Sequence, residues 1–443
     1  MPTVARAACA ENEIDVLGDG TQCETAKFAI RLMLYYDPLV FNFNISAQGT
    51  FYVDCGDGGT LSGTGVSGKT ITRTDTTEAT YTCTYQYDVY DQIRFGGMAT
   101  GYNTTNVSTI RFNENPNVIE AISGSLGAIF PTIGTSQPRF ISTFEGCGDW
   151  NIDFTIPEEL FTGIVGAPVS NMFYRTFANS LLYDSIPEGL FSGISGAPAE
   201  SMFAMTFSGC HYLTGSIPEG LFSGISGAPA ESMFARTFES CDGLTGSIPA
   251  GLFSGISGAP AESMFLSTFS DCNGLSGSIP ENLFGNLSGE GAKLMFLGTF
   301  SFCSELSGYV PKNIFENITS TGTSGTNGMF EETNLYTECP CGSMSAETGW
   351  GATLVDGRAV CQANPAEHIY NDVCVGDCAA GITKIKTSTG LEFPLFDTKP
   401  TTPALHIQHN GTICYTPMEL GDGGANSMNI MSGGAAYHLG TLE

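Results

Sequence analysis

The chain has 443 residues, 42% of them hydrophobic, and sets 16 Lys and Arg against 45 Asp and Glu for a formal net charge of −29. That length has room for about three ordinary domains, and the charge has the wrong sign for a nucleic-acid backbone or an anionic membrane. No apolar run reaches the roughly 18 residues that a membrane-spanning helix needs, and fifteen cysteines point to an oxidising compartment, hence a secreted or cell-surface protein.

Residues 1–10 read as the remnant of a secretory leader. Ala8-Cys9-Ala10 and Ala5-Arg6-Ala7 both have the small-x-small form that precedes cleavage, and processing after Ala10 would remove Cys9. Residues 11–135 alternate. Phe41, Phe43 and Ile45 share one face, a turn follows, and Phe51, Val53 and Cys55 share the next. Tyr81, Cys83, Tyr85 and Tyr87 continue at period two, then Ile93 with Phe95 and Ile110 with Phe112, which predicts a small β-sandwich. Cys55 and Cys83 lie in the inward phase of their strands and are either a disulfide or two separate buried thiols. The stretch "VDCGDGG" resembles the strand-to-turn motif of PKD-like domains, with Cys55 at the tryptophan position. That resemblance implies a spacer or binding module without catalysis.

Residues 136–338 repeat. Ile-Pro recurs at Ile156, Ile186, Ile217, Ile248 and Ile279 and becomes Val310-Pro311, a step of 30 and then 31 residues. Phe-x-x-Thr-Phe recurs from Phe140, Phe173, Phe203, Phe234, Phe265 and Phe296, with a worn copy at Phe330. A constant step predicts stacked coils that complete one another's cores. Within a coil, Pro229 suits the first turn of a helix, Glu231 its positive end, and Phe234 and Phe238 one helical face. Cys241, Leu244 and Ile248 then read as a short strand. The signature Phe-x-x-Cys-x-x-Leu in "FSGCHYL", "FESCDGL", "FSDCNGL" and "FSFCSEL" resembles the BspA-like leucine-rich repeats of bacterial surface proteins. The expected fold is therefore a leucine-rich-repeat α/β solenoid of 31-residue coils between the β-sandwich and a Cys-rich, β- and loop-rich C-terminal domain, 339–443. The cysteines there are Cys339, Cys341, Cys361, Cys374, Cys378 and Cys414, whose connectivity stays open.

Candidate chemistry is thin. Cys210, Cys241, Cys272 and Cys303, preceded by Cys147, form a column whose parallel stacking disfavours neighbouring disulfides, so they read as buried thiols. Glu200, Glu231 and Glu262 form a second column, read as solvated helix ends. His406 and His409, with His368 and His438, are the best metal candidates, but positions three apart on a strand face opposite ways. The Asp-Gly pairs lack the spacing of a calcium loop, and neither a nucleophile elbow nor a phosphate loop is present. No catalytic residue, metal or cofactor is expected. The near-identical copies differ at Met205, Arg236, His211, Tyr212, Asp242 and Asn273, which are the candidate binding residues. The resemblance implies attachment to a protein or glycan on a host or neighbouring cell. Self-association into a surface layer or filament, and a glycan-active enzyme with its carboxylates in a terminal domain, are the alternatives.

Overall fold

The computed structural model describes residues 9–336, apart from 36–38, 57, 115–116, 149–153, 312–313, 316 and 320–322, together with strands between 352 and 441. The first part consists of two antiparallel sheets packed face to face. Its strands are β1 (Glu13–Asp15), β2 (Cys23–Thr25), β3 (Phe28–Leu34), β4 (Val40–Ile45), β5 (Ala47–Asp54), β6 (Thr60–Gly63), β7 (Val66–Ser67), β8 (Thr70–Arg73), β9 (Ala79–Thr84), β10 (Val89–Tyr102), β11 (Ile110–Arg111) and β12 (Ile119–Gly124). The larger sheet runs β12-β3-β10-β5-β8-β7 and the smaller β11-β4-β9-β6, with β1 and β2 forming a separate ribbon. Alternation puts Phe28, Ile30, Leu32 and Leu34 of β3 inward, against Phe41 and Phe43 of β4. Phe43 meets Phe95 edge-on at 5.2 Å, a geometry suited to the ring quadrupoles.

Two disulfides tie this part together. Cys55 pairs with Cys83, and Cys9 pairs with Cys23. Cys9, which the leader reading places beside a cleavage site, thus belongs to a covalent loop at the start of the fold.

The core continues without a break into the repeats. Phe112 stacks on Phe144 at 5.4 Å, and the amide of Phe112 donates to the Thr143 carbonyl at 2.8 Å. From there one hydrophobic cluster extends to Met329.

The expected leucine-rich-repeat α/β solenoid is overturned. No helix occurs among the described residues, and all their regular secondary structure is β. The segment expected to be helical, around Pro229 to Phe238, is a ribbon of consecutive turns. The amides of Met233, Ala235, Thr237, Glu239 and Cys241 each reach back three residues, to Ala230, Ser232, Phe234, Arg236 and Phe238, at 3.1–3.4 Å. The amides between them do something a helix never does. Those of Ser232, Phe234, Arg236, Phe238 and Ser240 donate to carbonyls of the following coil, on Glu262, Met264, Leu266, Thr268 and Ser270, at 2.7–3.0 Å. The same pattern joins residues 201–210 to residues 231–239. Ser232, Arg236 and Ser240 have φ of 52°, 56° and 57°, so every fourth residue is left-handed. Helix propensity offered little resistance, because Ser, Thr, Phe and Cys dominate the ribbon and all are indifferent helix formers. Glu231 consequently caps no helix.

Parallel single-residue bridges, such as Gly196 with Ile225, Gly227 with Ile256 and Gly258 with Leu287, stitch the opposite side of each coil to the next. Here backbones approach closely. A Cβ on Gly193, Gly224 or Gly255 would lie 2.0–2.1 Å from the carbonyl of Ile164, Ile194 or Ile225, so no larger side chain fits without displacing backbone. The last described coil adds a parallel pair, β13 (Ser307–Tyr309) with β14 (Asn334–Tyr336).

Phenylalanines fill the stack in register. Phe203, Phe234, Phe265 and Phe296 form one file with ring centroids 5.6–5.8 Å apart and planes within 10°. Phe207, Phe238, Phe269 and Phe300 form another at 5.5–5.7 Å.

In the C-terminal part, Ala404–His409, Thr412–Leu420, Ser427–Ser432 and Ala435–Thr441 form an antiparallel meander. The backbones of Cys361, Cys374 and Cys414 lie in strands, whereas Cys339, Cys341 and Cys378 lie outside the described residues, as does His368.

Truncating one file tests the packing. Phe238→Ala removes a ring stacked between two coils and should lower unfolding free energy by about 3–5 kcal/mol in urea titration. The parent protein's far-UV circular dichroism should show no helical component from the repeats.

Candidate functional site

Each turn ribbon sorts its side chains by position. In residues 232–241, Met233, Phe234, Thr237, Phe238 and Cys241 point inward and are buried, while the left-handed residues Ser232, Arg236 and Ser240 are only partly covered. Met205, with φ of 56°, occupies the Arg236 position one coil earlier. At the middle left-handed position the side chain is only partly covered, and the residue there changes from Met205 to Arg236 to Ser267 in successive coils while the following Thr206, Thr237 and Thr268 do not change.

The six sequence-selected residues fall into two outer tracks. In the first, His211 Nδ1 lies 2.9 Å from Asp242 Oδ2, Asn273 Nδ2 donates to Asp242 Oδ1 at 3.3 Å, and Ser304 Oγ donates to Asn273 Oδ1 at 3.2 Å. One exposed polar side chain per coil thus links to the next along four coils. Tyr212 flanks its upper end, with its ring stacked on Tyr183 at 5.0 Å. Asp271 lies near the same track; burial first, and the charge of Asp242 second, hold its carboxyl above the usual range, while His211 acts the other way.

The second track holds Met205 and Arg236. Arg175 Nη1 is 3.5 Å from Met205 Sδ, and Arg175 also pairs with Glu145 through its Nε at 3.0 Å and its Nη2. Arg236 Nη1 pairs with Glu239 Oε1 at 3.1 Å, and Ser208 Oγ reaches the other Glu239 oxygen at 3.2 Å. Arg175, Glu145, Tyr183, Glu239 and Ser304 were not singled out from the sequence. Register is the available signal for Arg175, Tyr183 and Ser304, each one coil from a selected residue; Glu239 lies three residues after Arg236, and Glu145 lies one coil before Arg175. The Glu200, Glu231 and Glu262 column ends in a cation, since Lys293 Nζ sits 2.8 Å from Glu262 Oε1. That counter-charge relieves repulsion at one end of the column.

The cysteine column is unbridged. Cys147, Cys210, Cys241, Cys272 and Cys303 are free and buried. The last four thiols donate to the carbonyls of Phe177, Phe207, Phe238 and Phe269 in the preceding coil, at 2.8–3.1 Å. Thr237 and Thr268 do the same to Phe203 and Phe234 at 3.0 and 2.9 Å. These side chains cap carbonyls inside the stack. Burial pushes the Cys210 and Cys303 thiols up to about 12, and raises Cys241 and Cys272 as well. Such thiols are protonated and unreactive at neutral pH.

Among the described residues one grouping of three metal-type ligands occurs, Cys9, Glu13 and Cys23, and its two sulfurs are joined to each other as a disulfide. His406 and His409 share the strand Ala404–His409, and His438 lies in Ala435–Thr441. No helix among the described residues is long and apolar enough to cross a membrane.

No family model, curated protein or solved structure matches the chain.

The raised thiols set a pH dependence. Their folded values lie above the ordinary 9.0, so the stability that they contribute is complete below pH 9.0 and is lost as pH rises toward about 12. The urea midpoint should fall between pH 9 and about 11, and fall less in Cys210→Ala/Cys303→Ala. An equal fall in both proteins would show that the thiols do not contribute.

Proposed function

We propose that this chain is an exported protein that binds other macromolecules noncovalently, on a host or neighbouring-cell surface, through the outer tracks of its repeat stack. The two disulfides of the sandwich are compatible with an extracellular location. The observation that carries the reading is the division of labour within each coil. Identical Phe, Met, Thr and Cys columns are sealed inside, while the residues that differ between copies, His211, Tyr212, Asp242 and Asn273, are exposed and laid side by side. Stacked repeats present such side chains as an extended surface, which suits recognition of a long partner.

The mixed chemistry of the tracks favours a polar partner. His211, Asp242 and Asn273 supply both donors and acceptors, and the Tyr183–Tyr212 pair supplies an aromatic face.

Immobilised mucin glycans, host surface proteins and whole neighbouring bacteria are the targets for a direct binding test with the full chain. We expect saturable binding to at least one, weakened tenfold or more by His211→Ala/Asp242→Ala/Asn273→Ala with the circular dichroism unchanged. Undiminished binding by that variant removes the His211–Asp242–Asn273 track from the function. Light scattering that shows the purified protein as a growing polymer, with no binding to any target, favours the structural alternative.

A further inference from the structure

The connection from β9 to β10 walls an open cavity of about 320 Å³, far from the repeat tracks in sequence. Tyr85, Tyr87, Tyr90, Asp88, Asp91 and the turn at Gly58 contribute to its lining, and among the described residues no Lys or Arg does. Two of the rings are conspicuously bare: Tyr87 is 80% exposed and Tyr90 64%. The third is fixed. Tyr85 is buried, its hydroxyl donates to the Cys55 carbonyl at 2.7 Å, and Cys55 is bonded to Cys83. The two sides of the cavity, the Gly58 turn and the Tyr85 segment, are therefore anchored to each other covalently and by a hydrogen bond.

We propose that this cavity is a binding site for a small organic cation carrying a methylated ammonium group. Tyrosine faces attract such cations through the ring quadrupole, and the carboxylates of Asp88 and Asp91 add a net negative field. At the neighbouring Tyr85 hydroxyl, burial first and then the charges of Asp91 and Asp54 act to raise its value. Outside the cavity lining, Tyr90 makes one cation–ring contact within the fold: the Arg31 guanidinium, charge-paired with Glu120 through its Nε at 2.9 Å, lies 5.8 Å from its ring centroid. A methylated ammonium has apolar methyl groups to lay on rings and a diffuse charge that is cheaply desolvated. A metal ion gains little from phenol faces, an anion is repelled by the carboxylates, and a neutral sugar makes no use of the field.

The test is titration of the full chain with choline chloride and with tetramethylammonium chloride, followed by calorimetry and by the ligand's methyl proton shift. Sodium chloride at matched ionic strength and methyl β-glucoside serve as comparison ligands. The expected result is saturable binding of both ammonium ions, weakened about fivefold or more by Tyr87→Ala and by Tyr90→Ala, retained by Tyr87→Phe, and weakened by Asp88→Asn. Circular dichroism and urea midpoints identify variants that have lost the fold. Saturable binding of the glucoside without the ammonium ions would overturn the assignment in favour of a sugar site. Ammonium binding that survives the Tyr87→Ala/Tyr90→Ala double variant, or no saturable binding of any ligand to the parent protein, would overturn it as well.

Discussion

The structure depends on what the backbone does with every second amide of the turn ribbon. A helix closes its hydrogen bonds within one segment, so its stability does not require a neighbour of matching length. Here half of the amides from Ser232 to Cys241 are satisfied only by the next coil. Left unpaired in a buried ribbon, each would cost about 1–3 kcal/mol. The coils are thereby held to a common length. A step of 31 residues brings Phe234 over Phe265 and Cys241 over Cys272 so that amide, ring and thiol ladders all run in register. Left-handed backbone at Ser232, Arg236 and Ser240 opposes this arrangement, at roughly 1–2 kcal/mol for a residue other than glycine. The inter-coil bonds and the Phe files offset it.

The same constraint explains the surface. The left-handed residues of the ribbon, such as Met205 and Arg236, and the exposed residue after each of Cys210, Cys241, Cys272 and Cys303 both recur one coil apart. Side chains at equivalent positions in successive coils necessarily become neighbours, which is how His211, Asp242, Asn273 and Ser304 come to share a chain of contacts. Recognition by this face would draw on several coils at once, so a single exchange alters one rung of a longer surface. The cavity beside β9 and β10 works differently. It is a unique, local arrangement held by Cys55–Cys83 and by the Tyr85 hydroxyl, and its geometry owes nothing to repetition.

Much of this was legible in the sequence. The alternation of Phe41, Phe43 and Ile45 is the alternation of β4, and the inward phase of Cys55 and Cys83 matches their disulfide. The period of the repeats, and the burial of Cys210, Cys241, Cys272 and Cys303, follow from the copied words alone. The four-residue spacing of Phe234 and Phe238 suits a helix and the observed ribbon alike, because a ribbon with one left-handed residue in every four has nearly the same period as a helix. Small or polar residues recur at the last left-handed position of four successive coils, Asn179, Gly209, Ser240 and Asp271, and types that tolerate positive φ are the sequence signal for it. Tyr87 was assigned to the face shared by Tyr81, Cys83 and Tyr85, but β9 ends at Thr84 and the chain turns before Tyr87, leaving it exposed. The role of Cys9 was hidden by its resemblance to a processing site. Partners such as Arg175 and Tyr183 lie in the copy that begins at Phe173, which has Ser180 where the later copies have cysteine and so aligns less closely with them.

Amide hydrogen exchange across the repeats addresses the dependence of each coil on the next most directly. If the ladder holds the coils together, the amides of Phe203, Phe207, Phe234, Phe238, Phe265 and Phe269 should exchange together, slowly, with one common free energy close to that of global unfolding. Rapid and independent exchange at these amides, as from separate fluctuating turns, would show that the coils stand alone and would contradict the account.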